Sequence, residues 1–382
     1  TETELFNLKI ENGKIVEQVR TEDFLSDNLD SIDAKGYLAV PTFKEMHNHL
    51  DKTYMTLGWK SAKYTKMLKE RLQNEAEELV ALAPTTKQRA SKMIETLLSK
   101  GVTHIRTHVN IDPYIGLKNL EGVLEALEEY KGIVTSEVIA FPQHGLLLNR
   151  DVPILMKEAM RNGATMVGGL DPAGIDRSIE KSLDLTMNLA AEFDADVDIH
   201  IHDNGHMGWY TIDKWIDLIE ESGWRGRCAV SHGFSMGEIP LTKQQDLAKR
   251  LSEQDMMVMS NVSLAKNLPP YDLLDHYGVG VHFGFDGFYD SWSPLGSGDL
   301  LEKVNNYCQI TGKKDEHSIR HSLKFCTGGI TPLDKNGNQQ WPKIGDAASF
   351  IFAEASCSAE LIARKPERKA VMVDGNVVYG AL

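Results

Sequence analysis

The chain lacks the marks of several large protein classes. It has only four cysteines in 382 residues, Cys228, Cys308, Cys326 and Cys357. None falls in a Cys-x-x-Cys pair, so the spacing suggests neither a disulfide framework nor a thiolate zinc site. No apolar run is long enough to span a bilayer. The first residues, Thr1-Glu2-Thr3-Glu4, show no basic region followed by an apolar one, so no signal peptide is visible and a reducing, cytoplasmic setting is the default expectation. Basic residues are not in excess: the formal net charge is -14 and the pI about 5.4. Such a chain has no reason to seek nucleic acid or an anionic membrane, and solubility accounts for the charge. No glycine-rich dinucleotide fingerprint follows an apolar run. The His-x-Glu with Pro-Cys-x-x-Cys signature of the nucleobase-editing zinc deaminases is also missing.

Hydrophobic residues make up 42% of the chain, enough for a large core. Length alone suggests two or three domains, although barrels often run this long as one unit. Both ends read as β-rich. Leu5 to Ile10, a turn at Asn12-Gly13, and Ile15-Val16 predict a hairpin. At the other end, Ser349 to Ala353 predicts a strand. Ala370 to Val373, Asp374-Gly375-Asn376 and Val377 to Tyr379 predict a second hairpin. The two ends, 1–40 and 345–382, are expected to pair into one small β-sandwich flanking a central domain, 41–344.

Within that central region apolar strands alternate with amphipathic helices. The predicted strands are 37–47, 102–110, 134–141, 164–170, 196–202, 228–234, 256–261 and 279–286. Predicted helices include Thr86 to Ser99, Leu117 to Tyr130, Ile175 to Glu192 and Thr242 to Glu253. The alternation predicts an α/β fold, a (β/α)8 barrel, with a doubly wound open sheet as the other arrangement. The stretch from Asp51 to Pro84 is longer than a usual βα loop, and long barrel loops often cover the active site.

Catalytic groups in a barrel come from the C-terminal ends of different strands. His47 and His49 end the first predicted strand, and alternate strand residues share a face, so both imidazoles can meet one ion. His200 and His202 end the fifth, His232 the sixth, and Asp286 the eighth. Three imidazoles and a carboxylate suit one divalent ion, zinc or iron. Each residue also has a plainer reading. His47 and His49 can be a buried, hydrogen-bonded pair, Asp286 can cap a loop, and one of His200 and His202 can be structural, with His200 the favoured ligand. His108 ends the second strand and can lie near the site. Tyr54, Trp59 and Trp292 fall in top-face loops and can stack on a planar ring or simply pack.

These segments carry a resemblance. Glu45-Met46-His47-Asn48-His49-Leu50-Asp51-Lys52, Ile105-Arg106-Thr107-His108-Val109, Ala140-Phe141-Pro142-Gln143, the His200 segment, Ser231-His232 and Phe285-Asp286 resemble the cytosine deaminase-like branch of the amidohydrolase superfamily over nearly the whole chain. The resemblance implies a metal held by His47, His49, His200 and Asp286, with Asp286 also accepting a proton from the metal-bound water. It implies that His232 orients that water or stabilises the tetrahedral intermediate, and that Gln143 bonds the substrate ring. Hydroxide would attack a ring carbon of a small heterocycle and an amine would leave.

Two positions depart from the branch. Asp203 stands where its deaminases carry a glutamate proton shuttle, and is one methylene shorter. Gly287 stands where cytosine deaminase has a second aspartate. Cytosine is therefore not the expected substrate; the leaving group can be an alkylamine lost from an N-substituted heterocycle instead of ammonia. Hydrolysis of a cyclic amide and a catalytically silent metal-binding barrel are the alternatives. Homo-oligomerisation stays open.

Overall fold

A computed structural model describes residues 3–24, 30–82 and 85–382. Thr1 and Glu2 of the N-terminal reading, and Ala83 and Pro84 at the end of the long stretch, lie outside the described residues.

The N-terminal hairpin is β1 (Phe6–Glu11) with β2 (Lys14–Arg20). Asn12 and Gly13 both have positive φ, 52° and 76°, which is the backbone of a type I′ turn and the reason Asn-Gly marks one. The strand predicted over 37–47 is two strands. β3 (Leu38–Pro41) belongs to a terminal sheet, and β4 (Phe43–Asn48) opens the barrel. The apolar run is continuous across Thr42, so hydrophobicity alone could not show where the chain changes sheets.

The barrel strands follow: β5 (Val102–Asn110), β6 (Thr135–Phe141), β7 (Met166–Leu170), β8 (Asp196–Ile201), β9 (Cys228–His232), β10 (Met257–Ser260) and β11 (Gly280–Phe283). They form one parallel eight-stranded sheet in chain order. The ring comes round where the Asp286 N–H donates to the His47 carbonyl at 2.7 Å and Asn48 bridges Asp286 in parallel. Helices lie between the strands, and the architecture is a (β/α)8 barrel. Valine, isoleucine and leucine from the strands fill a single large core with the inner faces of the helices. Gly168 in β7 has no room for a side chain: a Cβ there would lie 2.6 Å from the Ala140 carbonyl oxygen.

The predicted helix over Thr86 to Ser99 is present with those bounds. Its start is fixed by Thr85, which accepts from the Gln88 N–H while the Gln88 side chain accepts from the Thr85 N–H. The helix predicted from Ile175 begins at Ile179 instead. The Asp176 carboxylate accepts from Leu147 N–H and from the Ser182 hydroxyl, which holds residues before 179 in a turn. The long stretch after β4 contains a helix, Leu68–Ala81, that the strand-and-loop reading missed.

The C-terminal strands are β12 (Phe350–Ala353), β13 (Arg368–Val373) and β14 (Asn376–Gly380). With β3 they make an antiparallel sheet in the order β14-β13-β12-β3. Ile15, Trp341, Phe350, Phe352 and Met372 pack into a second core between this sheet and the N-terminal hairpin. Ile15 N–H donates to Asp346 O and Ala348 N–H to Gly13 O, both within 2.9 Å, which ties the two ends together.

Candidate metal centre

Strand ends β4, β8 and the turn after β11 bring His47, His49, His200 and Asp286 together. One ligand atom from each lies within 4.8 Å of all the others. His49 Nε2 is 3.1 Å and His47 Nε2 3.6 Å from Asp286 Oδ1. His232 Nε2 is 3.7 Å from Asp286 Oδ2. His108 packs beside them, its ring centroid 4.3 Å from that of His200 and 4.7 Å from that of His47.

These imidazoles are buried, and many of their nitrogens have no hydrogen-bond partner. His47 Nε2, His49 Nδ1 and both nitrogens of His108, His200 and His232 are unpaired. An unpaired buried polar atom costs about 1–3 kcal/mol, so a cluster of them needs a reason, and a cation supplies one. Burial, reinforced by the nearby Lys52 ammonium, pushes His49 down to about 3. Burial and the neighbouring imidazoles hold His108, His200 and His232 well below the usual histidine range. Neutral imidazole is the form that binds metal. Burial works against the charge on Asp286, but the imidazoles around it outweigh burial and keep it a carboxylate. Asn261 Nδ2 donates to its Oδ2 at 3.0 Å and Gly287 N–H to its Oδ1 at 2.8 Å.

The backbone at this rim is strained. Asp171, His232, Val262 and Asp286 all have positive φ, from 37° to 69°, a region that non-glycine residues enter at a cost. All four follow or end barrel strands at the same face.

The other predicted site residues lie as follows. Gln143 is buried just after β6, and its Nε2 donates to Glu75 Oε2 at 3.4 Å. Trp292 donates its indole N–H to the same oxygen, and its ring lies under Lys52 Nζ at 5.4 Å. Asp203 is half-buried and accepts the Gly174 N–H at 3.2 Å. Burial, then the Asp171 carboxylate, raises its pKa. His202 points its Nδ1 to Asp171 Oδ2 at 3.0 Å, and is not one of the four convergent groups. Tyr54 is buried with its hydroxyl on Glu78, and Trp59 is 71% exposed, its ring centroid 6.3 Å from that of Tyr289.

The sequence reading missed Glu75. It sits on the Leu68–Ala81 helix, buried, and also takes Asn110 Nδ2 at 2.7 Å and Lys52 Nζ at 3.7 Å. A charged residue on a helix hidden in a long loop gives no motif to find. The reading also missed Asp290. Its carboxyl is fully buried, with Oδ1 accepting from Trp292 N–H and Ser293 N–H and Oδ2 unpaired. Burial pushes it up to about 7. A Cβ at position 287 would lie 2.1 Å from Asp290 Oδ2. The departure at Gly287 therefore has a spatial reason: another carboxyl already fills that space.

Comparison with known proteins agrees with this geometry. The amidohydrolase family matches residues 30–379. An uncharacterised protein of Escherichia coli strain K12, YahJ, is 38% identical over 100% of this chain and 84% of its own length. N-isopropylammelide isopropyl amidohydrolase of Pseudomonas sp. strain ADP is 30% identical over 91% of this chain and 88% of its own. The crystal structure of N-isopropylammelide isopropylaminohydrolase from Burkholderia multivorans superimposes with a TM-score of 0.89 at 27% identity, covering 99% of this chain and 96% of that one. A 5-methylcytosine deaminase from Klebsiella pneumoniae shares the fold, with a TM-score of 0.85 at 24% identity over 100% and 96% of the two chains. On the extent of the family match and the two sequence relatives, this chain belongs to the amidohydrolase family of enzymes.

Proposed function

We propose that the chain is a metal-dependent hydrolase that releases an amine from a carbon of a small nitrogen heterocycle. The observation that carries this is the convergence of His47, His49, His200 and Asp286, one ligand atom of each within 4.8 Å of the others, with an unpaired buried nitrogen on each of the three imidazoles. Three imidazoles and one carboxylate fit a single divalent ion, zinc or iron. Such an ion, when bound, supplies an activated water and polarises the atom under attack.

The chain's own groups do the rest in this reading. Asp286 takes a proton from the attacking water at Oδ2, the oxygen that Asn261 orients. His232, at 3.7 Å from that oxygen, holds the oxygen that develops on the attacked carbon. Gln143 and Trp292 position the ring, Gln143 through its amide and Trp292 through its face. Asp203 carries the proton to the departing nitrogen, a role suited to a carboxyl whose pKa is raised. The named activity of the Pseudomonas relative supports an alkylamine as the leaving group.

The test is release of ammonia or amine from aminopyrimidines, aminopurines, pterins and N-alkyl triazines by metal-loaded protein, with chelated protein as control. Metal-dependent release of an alkylamine supports the reading. No release from any member, with metal fully bound, overturns it in favour of the cyclic-amide or silent-barrel alternatives.

A further inference from the structure

The buried hydroxyl of Ser231 touches two groups. It lies 2.8 Å from His47 Nδ1 and 2.6 Å from Asp198 Oδ1. Arg106 donates to the other Asp198 oxygen at 3.2 Å, and its Nε donates to Glu137 at 2.6 Å. Asp198, Arg106, Ser231 and His47 are all buried.

Counting hydrogens orders this chain. A hydroxyl has one hydrogen and two lone pairs. The Ser231 hydroxyl donates to Asp198 Oδ1 at 2.6 Å, while Arg106 donates to the other Asp198 oxygen. What Ser231 turns to His47 is then a lone pair, and Nδ1 must carry the imidazole hydrogen. His47 Nε2 is left bare, unpaired and facing the other imidazoles and Asp286. The opposite tautomer would set lone pair against lone pair at Ser231 and aim an N–H into the point where the four ligand atoms converge.

We propose that Ser231 is a positioning residue that fixes His47 in the Nδ1–H tautomer, so that Nε2 is presented to the metal. This rests on the metal reading above. Asp198 and Arg106 hold Ser231 in the required orientation, and the chain Glu137–Arg106–Asp198–Ser231–His47 draws one residue from each of β6, β5, β8, β9 and β4. Groups behind a metal ligand that fix its tautomer are worth about 10–100-fold in metal affinity.

The experiment compares zinc affinity, by competition with a chelator, for wild type, Ser231→Ala and Ser231→Thr. Ala removes only the hydroxyl, and Thr keeps it. Circular dichroism and thermal unfolding of the chelated proteins check that each is folded. Nitrogen-15 spectra of the chelated, histidine-labelled proteins, assigned with His47→Gln, read the tautomer without metal. The expected result is Nδ1–H at His47 in wild type, zinc binding weakened about 10–100-fold in Ser231→Ala, and most of the affinity recovered in Ser231→Thr. A folded Ser231→Ala protein with unchanged zinc affinity overturns the proposal, as does an Nε2–H tautomer in wild type. Wild type that takes up no zinc or ferrous iron overturns the metal reading itself, and this role with it.

Discussion

The carboxylate of Glu75 accepts the indole N–H of Trp292, a residue 217 positions away in the chain. The same carboxylate takes Gln143, Asn110 and Lys52 from three other top-face segments. One acidic side chain thus ties the Leu68–Ala81 helix to four other segments, two of its partners being Gln143 and Trp292, the residues proposed to position the substrate.

Removing that carboxylate should act on binding more than on chemistry. Glu75→Ala leaves the buried Lys52 ammonium without its nearest anion and frees Gln143 and Trp292 to turn. We expect KM to rise about tenfold or more, equivalent to about 1.4 kcal/mol of lost binding, with a smaller change in kcat. Steady-state kinetics on whichever heterocycle is turned over would check this; a change confined to kcat would contradict it.

Asp203 is predicted to matter only after the substrate is bound. Asp203→Asn keeps the contact to the Gly174 N–H through its amide oxygen but cannot carry a proton. The expected loss in kcat is about 10²–10⁴-fold, the usual scale for a general acid or base, with zinc content unchanged by atomic absorption. Turnover at the wild-type rate would remove Asp203 from the mechanism.

Asp290 should leave a signature in the pH dependence of stability. Its folded-state pKa is pushed up to about 7 from 3.8, first by burial. Between those values the folded chain holds a proton that the unfolded chain has released. Stability from this group is therefore full below about pH 4 and falls as pH rises towards 7, by up to about 1.4 kcal/mol per pH unit. Asp290→Asn removes the proton exchange, so the variant should gain stability relative to wild type across that window. Urea titrations at pH 4.5 and 7.5 would measure it. A difference between the two proteins that does not change with pH would show that Asp290 is ionised in the folded chain.

The contact between Gly287 and Asp290 gives a fourth outcome. Gly287→Ala places a methyl against a buried carboxyl that two backbone N–H groups hold in place. Overpacking of this kind costs about 1–3 kcal/mol. In an Asp290→Ala background the same substitution should cost much less, and the coupling in a double-mutant cycle would register the contact directly. Equal costs in both backgrounds would mean the clash is relieved elsewhere.

The barrel was legible because its strands are apolar runs separated by amphipathic helices, and because His47, His49, His200 and Asp286 end those runs. The rule that barrel chemistry lies at C-terminal strand ends put them on one face, and the family resemblance separated them from His202 and His232. What could not be read depends on distance in space. Glu75 reaches four partners from a helix that looks like part of a loop. Asp290 fills the place of a side chain missing at Gly287. The division of 37–47 into β3 and β4 falls at Thr42, inside the apolar run from Tyr37 to Phe43, where hydrophobicity alone does not show it.

That division has a mechanical meaning. Only Thr42 separates β3, clamped by β12 in the terminal sheet, from β4, which carries His47 towards its end. The terminal sheet is therefore an anchor at one end of the rod that bears the ligands. A one-residue slip of β3 against β12 would be transmitted along β4 as a displacement of about 3.3 Å, with a reversal of which side chains face inward. The C-terminal strand β12, through β3, thus joins β5 in fixing the axial position of His47 and His49.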